Sequence, residues 1–327
     1  MKCTNKIYSF ICITLIACIF LSGCGAAAYD FQYERNMVSS AYMITESGNT
    51  RNVLSTFSQN LCVDAREDIT KSGLTLENSY ASGLFDLSNR KILHATNQFE
   101  ELPPASITKI MTALVALKYG NLDDEIHVSG NCKITESGAT LFGIKEGDIL
   151  TLDQALNILL LQSANDVALA IAEHVGGTQD NFIQMMNREA LALGATHTNF
   201  MNPHGLTQED HYTSIYDLYL IFNEVIKYER FREIIQLKTY SSVYYDSERN
   251  AKEFEIKTTN QYLNEVIKAP ENVTVLGGKT GTTKAAKSCL ILYSKNKSGS
   301  PYITVILGAE TRDLLYEDMT RLLEAVE

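Results

Sequence analysis

Residues 103–120 read PPASITKIMTALVALKYG. At 100° per residue this segment is a helix with two apolar faces, Ile107, Ile110, Met111, Leu114 and Val115 on one and Ser106, Lys109, Ala113, Ala116 and Leu117 on the other. Only Thr108, Thr112 and Lys118 are left for a solvated side. A helix that is apolar nearly all round is buried, and a buried ammonium is costly unless it is paired or neutral. Ser106 and Lys109 are three residues apart and therefore share a side of the helix, one turn apart. Desolvation lowers a lysine pKa and leaves an amine able to take a proton from a neighbouring hydroxyl. Ser106 also falls at the expected N-terminus of the helix, where free N–H groups and the dipole favour developing negative charge. An acylating serine needs both features.

Context selects this pair, since the pattern alone does not. S-x-x-K occurs at Ser88/Lys91, Ser106/Lys109 and Ser294/Lys297, and the first and last are expected in polar hairpin turns where lysine is simply solvated. S-x-N is weaker, matching at Ser47, Ser58, Ser129, Ser163 and Ser294. Ser163-Ala164-Asn165 stands between two strongly apolar helices, a junction that can project side chains into a cleft. It is favoured over Ser129-Gly130-Asn131, although either could be an ordinary helix cap. Lys279-Thr280-Gly281 is the only K-T-G in the chain and is read as the exposed end of a strand. There Gly277, Gly278 and Gly281 would let a substrate backbone come close. The alternative is a glycine turn with a surface lysine.

Around these motifs the chain alternates strands and helices. Residues 80–87 and 91–95 flank Ser88-Asn89-Arg90 as a hairpin, and 288–294 with 302–309 form a second. Helices are expected over 151–162, opening on a Thr151/Gln154 capping box, over 166–174, 180–193 and 214–228, and over 311–327. Strands thus lie at both ends of the region and helices between them. This predicts an α/β fold: one antiparallel sheet flanked by helices, with a mostly helical subdomain over about 120–230 inserted.

The formal net charge of −11 offers no basic patch for nucleic acid. Lys2 and Lys6 precede an apolar run from Ile7 to Phe20, too short and wrongly flanked to span a bilayer, which reads as a secretory signal over 1–23. An uncleaved signal anchor is the alternative. Leu21-Ser22-Gly23-Cys24 resembles the bacterial lipobox, which implies a lipidated Cys24 and a protein tethered outside the cytoplasmic membrane. Residues 24–77 are polar and weakly periodic, a tether and N-terminal extension before a catalytic domain over 78–327. Of the remaining cysteines, Cys62, Cys132 and Cys289 have neither disulfide nor metal spacing and fit as small core residues.

Taken in order, the three motifs resemble the signature of the serine penicillin-recognising enzymes. The stretches LPPASITKIMTALVAL, GIKEGD, LLLQSANDVALAIAEHVGG, FIQMMNREALALGATHTNFMNPHGL and GGKTGTTKAAKSCLI are each similar to the low-molecular-weight D-alanyl-D-alanine carboxypeptidases, peptidase family S11. The resemblance covers about residues 78–327 and implies the β-lactamase/DD-peptidase fold. It implies Ser106 as the nucleophile on the penultimate D-Ala carbonyl, Lys109 as its activator and Ser163 as a proton relay to the leaving D-Ala. Asn165 would bond the peptide, Lys279, Thr280 and Gly281 would hold the substrate end, and the N–H groups of Ser106 and Thr282 would form the oxyanion hole. No cofactor or metal is implied. The partners implied are a stem peptide ending in D-Ala-D-Ala and β-lactams as covalent inhibitors.

The chain departs from the family pattern at Thr282, usually an aromatic or His, and at Ala286-Lys287, usually Ala-Gly. The resemblance includes neither the extra β-rich domain nor the C-terminal amphipathic anchor of many members, and an N-terminal lipid would replace that anchor. Arg312 could assist carboxylate binding or be a surface charge at a helix start. A β-lactamase would need a Glu-x-x-x-Asn deacylation motif where TNFMNPHGL stands. A zinc peptidase could use His197, His204 and His211, but their Asn/Pro/Gly-rich loop favours solvated or turn histidines. A cell-wall-binding lipoprotein with a decayed site would not keep Ser106, Lys109, Ser163, Asn165 and Lys279 together.

Overall fold

The computed structural model describes residues 60–63, 68–71 and 73–326. The signal segment, Cys24 and most of the extension lie outside the described residues. The main sheet has five antiparallel strands in the order β2-β1-β9-β8-β7. These are β1 (Ala81–Asp86), β2 (Lys91–Thr96), β7 (Val273–Thr283), β8 (Lys287–Asn296) and β9 (Pro301–Ala309). Both expected hairpins form. β1 pairs β9, Ala81 opposite Leu307 and Asp86 opposite Tyr302, so the first and last strands of the region lie side by side. Period-two alternation sends Phe85, Ile291, Ile303, Val305 and Leu307 to one face. Leu84, Leu290, Leu292 and Ile306 go to the other, against Leu315, Met319, Leu322 and Leu323 of the last helix, α7 (Arg312–Glu324). Both faces are therefore covered.

Six further helices lie between β2 and β7: α1 (Lys109–Tyr119), α2 (Leu152–Leu161), α3 (Asn165–Gly176), α4 (Gln179–Ala192), α5 (Ile215–Val225) and α6 (Glu229–Gln236). Leu156, Ile158, Leu159, Val167 and Ile171 are fully buried where α2 and α3 pack with α1. Each such side chain contributes about 1.5–3 kcal/mol. The capping box of α2 is made, with Gln154 N–H donating to Thr151 Oγ1 at 3.1 Å and Thr151 N–H to Gln154 Oε1 at 2.9 Å. A second sheet, unforeseen from sequence, has the order β3-β4-β5-β6: β3 (Glu125–His127), β4 (Ile149–Thr151), β5 (Thr239–Tyr245) and β6 (Ala251–Lys257).

Residues before 78 bond to this unit as well. Cys62 N–H donates to Tyr219 Oη at 2.8 Å, Ile69 bridges Ala95, and Lys71 Nζ donates to Ala325 O at 2.5 Å. Cys62, Cys132 and Cys289 are buried free thiols, each pushed well above the ordinary thiol range by burial.

Candidate active site

Ser106 lies in a 3-10 turn, Ala105–Thr108, that leads into α1; the expected α-helix from Pro103 is tightened over its first turn. In a 3-10 turn residues i and i+3 eclipse, which stacks Lys109 beneath Ser106. Ala105 adopts a left-handed φ of 48°, a costly conformation for a non-glycine residue. Two contacts hold it. Thr108 Oγ1 donates to Ala105 O at 2.9 Å, and Gly205, at φ 86°, lies so close that a Cβ there would be 1.9 Å from Ala105 O. Thr108 and Thr112 are buried, not solvated, because the loop at 202–206 covers them. Thr112 Oγ1 donates to Pro203 O at 2.6 Å, while Lys118 alone of the three is exposed, paired with Glu189.

Lys109 Nζ, fully buried, donates to Ser106 Oγ at 3.0 Å, to Asn165 Oδ1 at 2.6 Å and to His204 O at 2.5 Å. Among the described residues no carboxylate bonds it. Burial pushes its pKa well below the lysine range and the charge of Lys279 pushes the same way, with Asp166 pulling back. Lys279 is 1% exposed and donates to Ser163 Oγ and to Thr280 O, both at 2.9 Å; burial lowers its pKa to about 7. Ser163 itself sits between α2 and α3 at a left-handed φ of 68° and caps nothing; α3 is entered through Ala164. A strained non-glycine backbone at a buried hydroxyl is a signature of a functional position.

Lys279 occupies the interior of β7, the edge strand, and not the end of a strand as expected. The room left by Gly277 and Gly278 is filled by the protein's own chain. A Cβ at Gly277 would lie 2.4 Å from Ile235 O, and one at Gly278 would lie 2.0 Å from Ile291 O. Only Gly281 of the three faces the Ala105–Thr108 turn, where a Cβ would be 3.1 Å from Ser106 N. β7 is thereby laid edge-on against Ser106. Thr280 Oγ1 and Thr259 Oγ1 are 2.6 Å apart, and Thr282, which is exposed, donates its hydroxyl to Gly281 O at 2.8 Å. Ser106, Lys109, Ser163, Asn165, Lys279 and Gly281 thus form one connected cluster, which Thr280 and Thr282 extend along the strand. Arg312 is exposed at the first residue of α7.

The competing patterns lie elsewhere. Ser88 is exposed in the first hairpin turn, as expected, and Lys91 is exposed where β2 begins. Ser294 is not in a turn but buried within β8, because that strand runs on to Asn296. Ser129 bonds Glu173 and shares no partner with Ser106. His211 is buried: Nδ1 accepts from Met201 N–H at 3.0 Å, so Nε2 carries the proton and faces Thr108 Oγ1 at 2.9 Å. Burial lowers its pKa to about 4 and that of His204 to about 3, the latter helped by Lys109. Both nitrogens of His211 are thus committed, and His204 Nδ1 accepts from Leu206 N–H at 3.1 Å.

Two participants escaped the motif reading. The turn Asn202-Pro203-His204-Gly205 supplies the carbonyl that holds Lys109, and Asn202 Oδ1 fixes that turn by accepting from Gly205 N–H at 2.7 Å. Asn-Pro and His-Gly mark it as a turn in the sequence, but nothing there says what it covers. Asp166, 3% exposed, accepts from Phe142 N–H at 3.0 Å, Gly143 N–H at 2.7 Å and Ile144 N–H at 3.2 Å, fixing the loop beside Asn165.

A family model described as D-alanyl-D-alanine carboxypeptidase matches residues 75–311. The chain is 32% identical over 267 residues to the D-alanyl-D-alanine carboxypeptidase DacF of Bacillus subtilis, covering 80% of this chain and 65% of that protein. It is 30% identical over 249 residues to DacC of Escherichia coli, covering 73% of this chain and 59% of that one. It therefore spans roughly three-fifths to two-thirds of the length of these relatives. Among solved structures, the Streptomyces K15 DD-transpeptidase has a TM-score of 0.70 at 24% identity, covering 78% of this chain and 98% of that one, which establishes the fold. A penicillin-binding protein homologue from Mycobacterium tuberculosis gives 0.68 at 25% identity, covering 78% and 95%.

Proposed function

This chain belongs to the D-alanyl-D-alanine carboxypeptidase family, peptidase S11, and from that premise we propose that it is a serine DD-carboxypeptidase removing the terminal D-Ala from peptidoglycan stem pentapeptides. The observation that carries the reading is the hydrogen bonding of Lys109. Of its three partners, Asn165 Oδ1 and His204 O can only accept, whereas Ser106 Oγ has a proton to give. Once Lys109 is neutral, its two N–H groups stay on the two carbonyls and its lone pair is left facing Ser106. The base is aimed as well as deprotonated.

Ser106 then attacks the penultimate carbonyl as Lys109 takes its proton. The N–H groups of Ser106 and Thr282 receive the oxyanion, and the Ser106 N–H is free to do so at the open end of a helix. Ser163, held by Lys279, relays the proton that Lys109 took from Ser106 to the departing D-Ala amine, keeping its own hydroxyl. The substrate carboxylate is received by Lys279 and Thr280, and its negative charge draws the proton onto Lys279. Water attacking the acyl-Ser106 ester completes the cycle. A β-lactam enters the same path as far as the ester and remains there. Asp166 is the buried carboxylate nearest in sequence to the site, and its oxygens are engaged with the 142–144 backbone rather than with Ser106 or Lys109. Fast penicillin hydrolysis would need an added base.

Labelling with a fluorescent penicillin tests this: covalent label on the wild type and none on Ser106→Ala are expected, with D-Ala released from a pentapeptide in the presence of chelators. Label that survives Ser106→Ala overturns the assignment. We also propose that the chain is exported and held at the outer face of the cytoplasmic membrane by lipid on Cys24, for which the basic n-region, apolar run and lipobox are the support. Cys24→Ala should move the protein from the detergent phase to the aqueous phase on phase partition, and an unchanged distribution would sink the proposal.

A further inference from the structure

Beyond Thr282 the cleft opens into a cavity of about 670 Å³. Three chain segments line it: Thr282–Lys284 where β7 ends, Leu206 and Thr207 from the loop over the nucleophile, and Glu136 from the loop between β3 and β4. Thr207 Oγ1 donates to Thr283 Oγ1 at 3.3 Å and ties two of these segments together. Glu136 and Lys284 are both exposed, and among the described residues neither side chain is bonded to any other group. One cavity therefore presents an uncommitted carboxylate and an uncommitted ammonium.

Position along β7 says what part of a substrate reaches them. With the substrate carboxylate at Lys279 and Thr280 and the reacting carbonyl at the Thr282 N–H, the substrate runs antiparallel to β7. Each residue further from its C-terminus advances about 3.3 Å toward Lys284. The residue just before the two D-alanines enters this cavity. In stem peptides it is a diamino acid, whose side chain ends either in an ammonium alone, as in lysine, or in an ammonium and a carboxylate on one carbon, as in diaminopimelate. We propose that Glu136 and Lys284 form a subsite for the zwitterionic end of a diaminopimelate side chain, Glu136 taking its ammonium and Lys284 its carboxylate. The inference rests on the DD-carboxypeptidase reading above.

The test measures D-Ala release from two pentapeptides that differ only in the third residue, diaminopimelate or lysine, using the full chain. Comparing the two peptides on each protein cancels any loss of folded enzyme. The wild type should favour the diaminopimelate peptide in kcat/KM by about fivefold, the scale of one solvent-screened ion pair. Lys284→Met should bring that ratio to about one by slowing the diaminopimelate peptide alone. Glu136→Gln should slow both peptides, since both carry the ammonium. Equal rates in the wild type, a preference for lysine, or a ratio indifferent to Lys284→Met would each overturn the subsite. Acylation of the wild type by benzylpenicillin separates the two levels of inference. If that acylation fails and neither peptide is cleaved, the enzymatic reading falls and takes the subsite with it.

Discussion

At the scale of the residue, the site is built from two buried amines that no carboxylate neutralises. This has a cost in stability with a definite sign. An unfolded lysine titrates near 10.4, roughly, whereas Lys279 in the folded chain titrates at about 7. Between those values the unfolded state binds the extra proton, so this residue makes stability rise with pH, by up to about 1.4 kcal/mol per pH unit. Above about pH 8.5 the buried cysteines, whose folded pKa values are raised, oppose the trend. Between pH 7 and 8.5, roughly, Lys279→Met should therefore melt higher than the wild type, with the gap narrowing as pH rises. Thermal unfolding at several pH values reads this directly, and parallel curves would refute it. Function is retained here at the expense of folding free energy.

At the scale of the element, the geometry around Ser106 is set by loops more than by its own helix. The 202–206 turn holds Lys109 and Thr112 of α1 through its carbonyls, and Asp166 fixes the 142–144 loop beside Asn165. Asp166→Asn replaces one acceptor oxygen with a donor that faces backbone N–H groups, and should cost about 2–3 kcal/mol of stability. It also has an effect that loosening alone would not produce. The charged and titratable groups around Lys109 are Asp166 on α3, Lys279 on β7 and the neutral His204 and His211 of the covering loop. Removing the one negative charge lowers the Lys109 pKa further. The acid limb of the acylation profile should move to lower pH, even as the rate at its plateau falls. A limb that stays in place, or moves up, would show that Asp166 acts only as a clamp.

At the scale of the whole molecule, the layered α/β arrangement was legible because its signals are local. Both hairpins of the main sheet and most helices announce themselves through apolar periodicity and turn residues. β5 and β6 did not, because they lie in a peripheral sheet and of their fourteen residues only Ile256 is buried, in TYSSVYY and AKEFEIK. Burial at Lys109 was legible for the same local reason, and so was the choice among three S-x-x-K patterns. The functions of His204 and Asp166 were not, since each acts through a contact 95 or 22–24 residues away that no local pattern encodes. The placement of Lys279 was misjudged because an edge strand can carry a buried side chain on its covered face.

The pairing of β1 with β9 sets an order of events. The first hairpin is made early, yet its neighbour in the sheet is synthesised more than two hundred residues later, a separation that slows closure of such contacts. β7, which carries Lys279, also comes late, so the serine is translated long before the amine that completes its surroundings. If Ser106 is acylated as proposed, covalent capture of a penicillin would consequently report that the last strands have arrived. In a pulse-labelled culture it would time the maturation of the chain as well as its chemistry.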